Sequence, residues 1–272
     1  MNWLTEMFSY SFMQRAFIVG VFISICAALV GVSLVLRKNS MIGDGLSHTA
    51  FGAFAVAIVL NFTPLWFAIP VVIAASFFTL KLSRSRKING DAAIAILSAS
   101  SLAIGTIAIS VSHGVNIDLN TYLFGSILSI SWSDVWLSLV LAIIVILLYT
   151  IAHNRIFAIT FDEDFSKAIG INTNLYDAVF AIICSLVVVL GMRLLGALLI
   201  SSLIIFPALI SMHFAKSFKR VVIYAVIISV INFVIGLTAS YLFALPTGAT
   251  IVIVNLLVLL SSLGLSSLQQ SR

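Results

Sequence analysis

Asp44 and His48 are the two residues whose types and spacing invite chemistry in this chain. They lie in the run Ser40-Met41-Ile42-Gly43-Asp44-Gly45-Leu46-Ser47-His48-Thr49-Ala50-Phe51-Gly52, just inside a long apolar segment. Residues four apart share one face of a helix, so a carboxylate and an imidazole can aim at one point. Carboxylate oxygen and neutral imidazole nitrogen are ligands for borderline or hard divalent metals. Ionisable groups inside a membrane helix are expensive, and by default they mark a substrate path. A plainer reading fits too: Asp44 caps its helix and His48 is a satisfied interior histidine. The pair alone leaves both open.

The elements that must position this pair are membrane helices. The chain has 272 residues, 62% of them hydrophobic and 8% charged. Soluble domains carry about 25% charged residues. The composition therefore excludes a soluble domain and requires a polytopic membrane protein, all-α. Met1 to Gln14 lack a basic n-region and a cleavage site, so the first apolar run is expected to stay in the mature chain. Cys26 and Cys184 fall in the middle of apolar runs, where free thiols behave as small hydrophobes, so no disulfide is expected.

Apolar runs of about 17 to 25 residues mark the spans. In order they are Ala16 to Leu36, Ile42 to Leu60, Leu65 to Leu80, Ala92 to Val111, Val135 to Ile151, Ala178 to Leu190, Leu194 to Met212, Val221 to Tyr241 and Ala249 to Leu265. Tyr122 to Ile130 is too short to cross and reads as an interfacial or re-entrant helix. Gly191-Met192-Arg193 divides the sixth run from the seventh, and the count falls to eight if those two form one bent unit. A single transmembrane domain over 1–272 is expected, with no linker and no internal repeat. Small residues such as Gly20, Ser24, Ala27, Ala28 and Gly31 allow close helix packing in lipid.

Charge sets the orientation. The pI near 9.4 does not signal nucleic acid, because the basic residues cluster at segment ends. With the amino terminus outside, Arg37, Lys38, Lys81 to Lys87, Arg155, Lys167, Lys216 to Arg220 and Arg272 all fall in the cytoplasm. They are 12 of the 14 Lys and Arg, leaving Arg15 and Arg193. The positive-inside bias thus places the amino terminus outside and the carboxyl terminus in the cytoplasm.

The polar connection from 153 to 176 holds Phe161-Asp162-Glu163-Asp164-Phe165-Ser166-Lys167-Ala168-Ile169-Gly170. Acids in a first turn and a closing glycine spell a short helix. Phe165 and Ile169, four apart, give it one apolar face, which needs a membrane surface or a protein to pack on. Leading acids make anionic lipid a poor partner; a solvated loop helix is the plain alternative. Pro207, in Gly196 to Ala208, puts a bend, a hinge or a cavity lining inside a span. His113 and Asp118 lie in the polar stretch before Tyr122, and His153 and His213 near the inner interface; all four have ordinary surface readings.

Absences narrow the function. The chain has no GxxxxGK[ST] loop to cradle ATP, no HExxH for a zinc protease, and no CxxC for metal storage. It is not expected to be an enzyme. An intramembrane hydrolase would need a nucleophile or metal-bound water facing a base, and no such pair stands out.

The residues resemble a known family, the zinc/manganese/iron (ABC-3) permeases of bacterial ABC importers. The resemblance rests on Gln14-Arg15-Ala16-Phe17, Leu36-Arg37, the Ser40 to His48 run, Tyr122-Leu123-Phe124-Gly125, Asp162 to Gly170, Gly196-Ala197-Leu198-Leu199 and Pro207-Ala208. These occur in family order across nearly the whole chain. Gly45 stands where the family often has alanine. The resemblance implies an ABC importer permease fold in the bacterial plasma membrane. It also implies a homodimer, a separate cytoplasmic ATPase and an extracytoplasmic metal-binding protein. It makes Asp44 and His48 the metal contacts. It makes Asp162, Glu163, Asp164, Phe165, Ala168, Ile169 and Gly170 the coupling helix that docks on the ATPase. No resident cofactor is implied; Zn2+, Mn2+ or Fe2+ is cargo. The run from Thr160 to Asp164, the stretch from Asn116 to Gly125 and the short tail look closer to zinc-type members, so zinc is the expected ion. Outside the family, a stand-alone secondary carrier or channel would suit the same composition.

Overall fold

The structure, a computed structural model, describes residues 6–83, 90–112, 124–125 and 127–270. Its helices are α1 (Ser11–Leu36), α2 (Met41–Val59), α3 (Pro64–Ser83), α4 (Gly90–Val111), α5 (Trp132–Ile151), α6 (His153–Phe161), α7 (Glu163–Ala168), α8 (Thr173–Leu195), α9 (Ala197–Phe214), α10 (Phe218–Phe243) and α11 (Thr247–Gln270). Among the described residues, 9 are long and apolar enough to cross a membrane, all but α6 and α7. At 1.5 Å per residue, about 20 residues span the hydrocarbon core, and lipid forces their backbone polar groups to pair within each helix.

Capping chemistry moves several ends beyond the apolar runs. Ser131 and Asp134 form a capping box, so α5 starts at Trp132, ahead of the expected Val135. Asn172 accepts from the Leu175 N–H and starts α8 at Thr173. The expected division at Gly191-Met192-Arg193 is not there. Helix α8 runs through those residues and stops at Gly196, whose φ of 94° suits only glycine without strain. The sixth and seventh runs are therefore two separate helices, hinged five residues later than the sequence suggested.

Helix α1 forms the spine. Val19, Ile23, Cys26, Ala27 and Val30 are fully buried, and α1 packs on α5, α9 and α10. Gly31 lets α9 approach: a Cβ there would collide with the Ile204 carbonyl oxygen. The α8–α9 turn lies within the bundle, since Gly191 packs on both Ile200 and Ile23, midway along α1. Gly125 packs on Leu195 and Gly196, and Ile130 is buried, so the described part of the Tyr122 to Ile130 segment folds onto that turn without crossing. Tyr122 itself, His113, Asp118, Arg84 to Lys87 and Arg272 lie outside the described residues. Pro207 sits inside α9, which continues through it, and Cys26 and Cys184 are buried free thiols.

Alternation of the spans gathers Arg37, Lys81, α6, α7, Lys216, Lys219 and Arg220 at one end of the bundle, the basic end. There Arg37 donates to Asp177 at 2.8 Å and reaches the Ile159 carbonyl at 3.5 Å, tying α1 to α8 and α6. Asp177 is only 7% exposed. Arg37→Ala takes the guanidinium away from that buried carboxylate, and removing one partner of a buried pair costs about 3–5 kcal/mol. The variant is expected to melt well below the native protein in detergent. Arg37→Leu combined with Asp177→Leu is expected to recover most of the loss, because both buried charges are removed together.

Candidate functional site

Helix α2 places Asp44 and His48 on one face, as the spacing requires. His48 Nε2 stands 3.6 Å from Asp44 Oδ2, and the side chains are 27% and 39% exposed. Asp44 does not cap its helix: the N-cap position is Ser40, which makes no side-chain cap, and Asp44 bonds across to another helix. Ser201 of α9 stands 3.1 Å from Asp44 Oδ1, 3.4 Å from Ser47 Oγ and 3.1 Å from the Ala197 carbonyl. Asp44 thus turns one carboxylate oxygen to the hydroxyl and the other to the imidazole.

The neighbouring helices fix this arrangement. Gly43 packs on Ile204 of α9, and Gly45 packs on Ile94 and Ser98 of α4. Ser47 and Thr49 donate to the Gly43 and Gly45 carbonyls, at 2.8 and 2.9 Å, which satisfies hydroxyls within the membrane span. His48 Nδ1 is buried with no hydrogen-bond partner among the described residues. Among the described residues no third His, Cys, Asp or Glu joins the pair.

A lateral cavity of about 590 Å³ lies elsewhere, lined by Trp66, Asp134, Leu137, Ile144, Leu190 and Arg193. It contains neither Asp44 nor His48. Arg193 and Asp134 in its lining are 3.4 Å apart.

At the basic end, Asp162 accepts from the Phe165 N–H at 2.8 Å and starts α7, and Gly170, at φ 84°, ends that turn. Glu163 and Lys167 pair at 2.7 Å on its surface, with Asp164 3.6 Å from the same lysine. Phe165 and Ile169 are 58% and 55% exposed, an apolar pair facing away from the bundle; Ala168 lies between them on the exposed surface. The residues before it, expected as polar connection, form α6. Its Phe157 and Phe161 pack on Phe218 at the start of α10, tilted and edge-on with centroids 5.5 and 6.2 Å apart, so α6 is packed against the bundle. His153 packs there too, its ring tilted 5.3 Å from that of Phe218. Nearby Arg155 donates to the Tyr176 hydroxyl at 3.0 Å, a contact that raises the arginine pKa further.

Sequence reasoning missed Ser201 as a site residue. Its signal was present: Ser201-Ser202 is a polar pair one helical turn after Gly196, inside an apolar run.

A family model, the ABC 3 transport family, matches residues 9–266. The chain belongs to that family. It is a non-enzymatic permease subunit of a metal ABC transporter, and a multi-pass membrane protein with the ABC importer permease fold. It is 32% identical over 253 residues to the manganese import system permease protein ScaB of Streptococcus gordonii, covering 93% of this chain and 91% of that protein. It is 28% identical over 258 residues to the manganese transport system membrane protein MntC of Listeria monocytogenes, covering 95% and 92%. PsaBC from Streptococcus pneumoniae, solved in complex with Fab, has a chain that superposes with a TM-score of 0.85 at 29% identity, covering 95% of this chain and 93% of its own.

Proposed function

We propose that this ABC permease imports a divalent first-row metal, with Asp44 and His48 holding the ion in transit. The observation that carries the reading is a carboxylate and an imidazole 3.6 Å apart, both part-exposed, within a membrane span. An unpaired carboxylate in lipid is disfavoured, and a passing cation relieves that penalty. Two donors leave a shell open, so water or a second copy of the chain completes it. A two-fold pair would bring two carboxylates and two imidazoles together. Helix α4 offers a face for such a homodimer: Ala92, Ala95, Ala99, Ala103, Thr106 and Ser110 are exposed along it at helical spacing. The shell must bind weakly enough to release the ion.

The basic end faces the cytoplasm in this reading, with the amino terminus outside, following the positive-inside bias. Phe165 and Ile169 then meet a separate ATPase, with Asp162, Glu163, Asp164, Ala168 and Gly170 shaping the helix and turn that present them. An extracytoplasmic binding protein delivers the metal at the other end. The relatives named for manganese support Mn2+ as cargo, and oxygen donors suit it. Zinc is the second reading, favoured by the zinc-like segments from Thr160 to Asp164 and from Asn116 to Gly125. Vesicles holding the permease with its ATPase and binding protein, given labelled manganese against unlabelled zinc and the reverse, test this. ATP-dependent uptake with manganese the stronger competitor is expected. Uptake of neither ion ends the reading, and uptake without ATP or ATPase makes the chain a secondary carrier.

A further inference from the structure

We infer that Ser201 gives the ion a third donor from this chain, its hydroxyl oxygen, and that this oxygen tilts the site toward manganese over zinc. The inference rests on Asp44 and His48 being the transit site. Donors about 2.1 Å from one ion stand about 3.0 Å apart at right angles and about 3.4 Å apart at the tetrahedral angle. The observed separations are 3.1 Å from Ser201 Oγ to Asp44 Oδ1 and 3.6 Å from His48 Nε2 to Asp44 Oδ2. A hydroxyl bonded to a carboxylate would normally sit about 2.5–2.7 Å away. The Ser201 contact is long for a hydrogen bond to a carboxylate and matches the spacing of ligands around an ion, and the His48 contact, to the other carboxylate oxygen, is slightly wider than that spacing.

The hydroxyl also has somewhere to send its proton. Ser201 carries one hydrogen and has two acceptors at 3.1 Å, Asp44 Oδ1 and the Ala197 carbonyl. Donating to Asp44 eases an empty carboxylate. Donating to Ala197 turns the oxygen lone pairs toward the carboxylate, where a cation would sit. The exchange needs only rotation about one bond and releases no proton. A neutral hydroxyl is a hard, weak ligand, which favours manganese over zinc and allows departure.

A buried amide chain holds α9 in the register this requires. Asn232 of α10 donates to Asn255 of α11 at 2.7 Å, and Asn255 donates to Ser202 at 3.1 Å. All three are buried. The residue beside Ser201 is therefore pinned from the opposite side, and Ser201 stays across from Asp44.

The test uses the permease–ATPase complex in lipid nanodiscs and vesicles, with Ser201→Cys, Ser201→Ala and Ser201→Thr. Cadmium titrated into Ser201→Cys is expected to produce a thiolate-to-cadmium absorption band over the wild-type background from Cys26 and Cys184. The band should vanish when Asp44→Asn is added. The zinc-to-manganese uptake ratio should rise about tenfold in Ser201→Cys, at the lower end of effects from groups that support a metal site. Ser201→Ala should lower manganese uptake more than zinc uptake, and Ser201→Thr, which keeps the hydroxyl, should hold the native ratio. If Ser201→Cys does not assemble, the alanine and threonine ratios decide alone. An unchanged ratio in assembled Ser201→Ala, or an assembled Ser201→Cys without the band, overturns the inference. Native uptake in Asp44→Asn and His48→Gln would instead sink the transit site itself.

Discussion

Manganese uptake through the Asp44→Ala transporter is expected to fall to the level of empty vesicles, and His48→Ala to behave alike. Loss of groups that merely support a metal ligand lowers affinity about 10–100-fold, so removing a ligand from a shell with few donors should exceed that range. Folding is not the cause of the loss. Both side chains are part-exposed, and deleting a carboxylate from a membrane span removes an unfavourable group rather than a packed one. Asp44→Asn sharpens the point. It keeps the shape of the side chain and an oxygen for Ser201, while removing the charge that attracts the ion. Transport assays on complexes shown to assemble with the ATPase read the effect directly. Native uptake in both alanine variants would remove the pair from the path.

The second large effect concerns the exposed tip of α7. Phe165→Asp with Ile169→Asp is expected to abolish coupled uptake while the permease inserts and melts as the native chain does. Both side chains lie mostly outside the bundle, so the aspartates meet water rather than a core. In an interface, losing an apolar anchor costs about 2 kcal/mol or more, and each 1.4 kcal/mol is about tenfold in affinity. Two anchors together should weaken ATPase binding by at least about a hundredfold. Pull-down of the ATPase by the double variant, together with transport-stimulated ATP hydrolysis, checks this. Unchanged binding and uptake would leave α7 a solvated helix with no coupling role. Phe157 and Phe161 pack α6 on Phe218 of α10, and Arg37 joins the Ile159 carbonyl of α6 to the end of α1.

The spans were legible because their information is local. An apolar stretch long enough for the hydrocarbon core has one stable backbone solution, whatever packs beside it. Asp44 and His48 were legible for the same reason: a spacing of four fixes a shared face. The capping residues Asp162 and Gly170 announced α7. Ser131, Asp134 and Asn172, by contrast, extended α5 and α8 past the apolar runs, because a side-chain cap adds residues that hydropathy does not count. The α8–α9 boundary was displaced because Gly191 and Gly196 look alike in sequence. Only packing separates them: Gly191 makes room for Ile200 within a continuing helix, whereas Gly196 adopts a backbone angle that ends one.

By itself the sequence determined that the chain is a bundle of membrane helices, which end of it is basic, and that one helix face carries an acid and an imidazole. Tertiary structure alone decided that Ser201, 157 positions away, stands against Asp44, that Arg37 neutralises Asp177, and that Phe165 and Ile169 face outward. The physical reason is the solvent. In lipid, apolar side chains gain little by leaving the acyl chains, so helix neighbours are chosen by close contacts such as Gly31 on Ile204 and by scattered polar bonds. Those choices are made between helices, and no single helix records them.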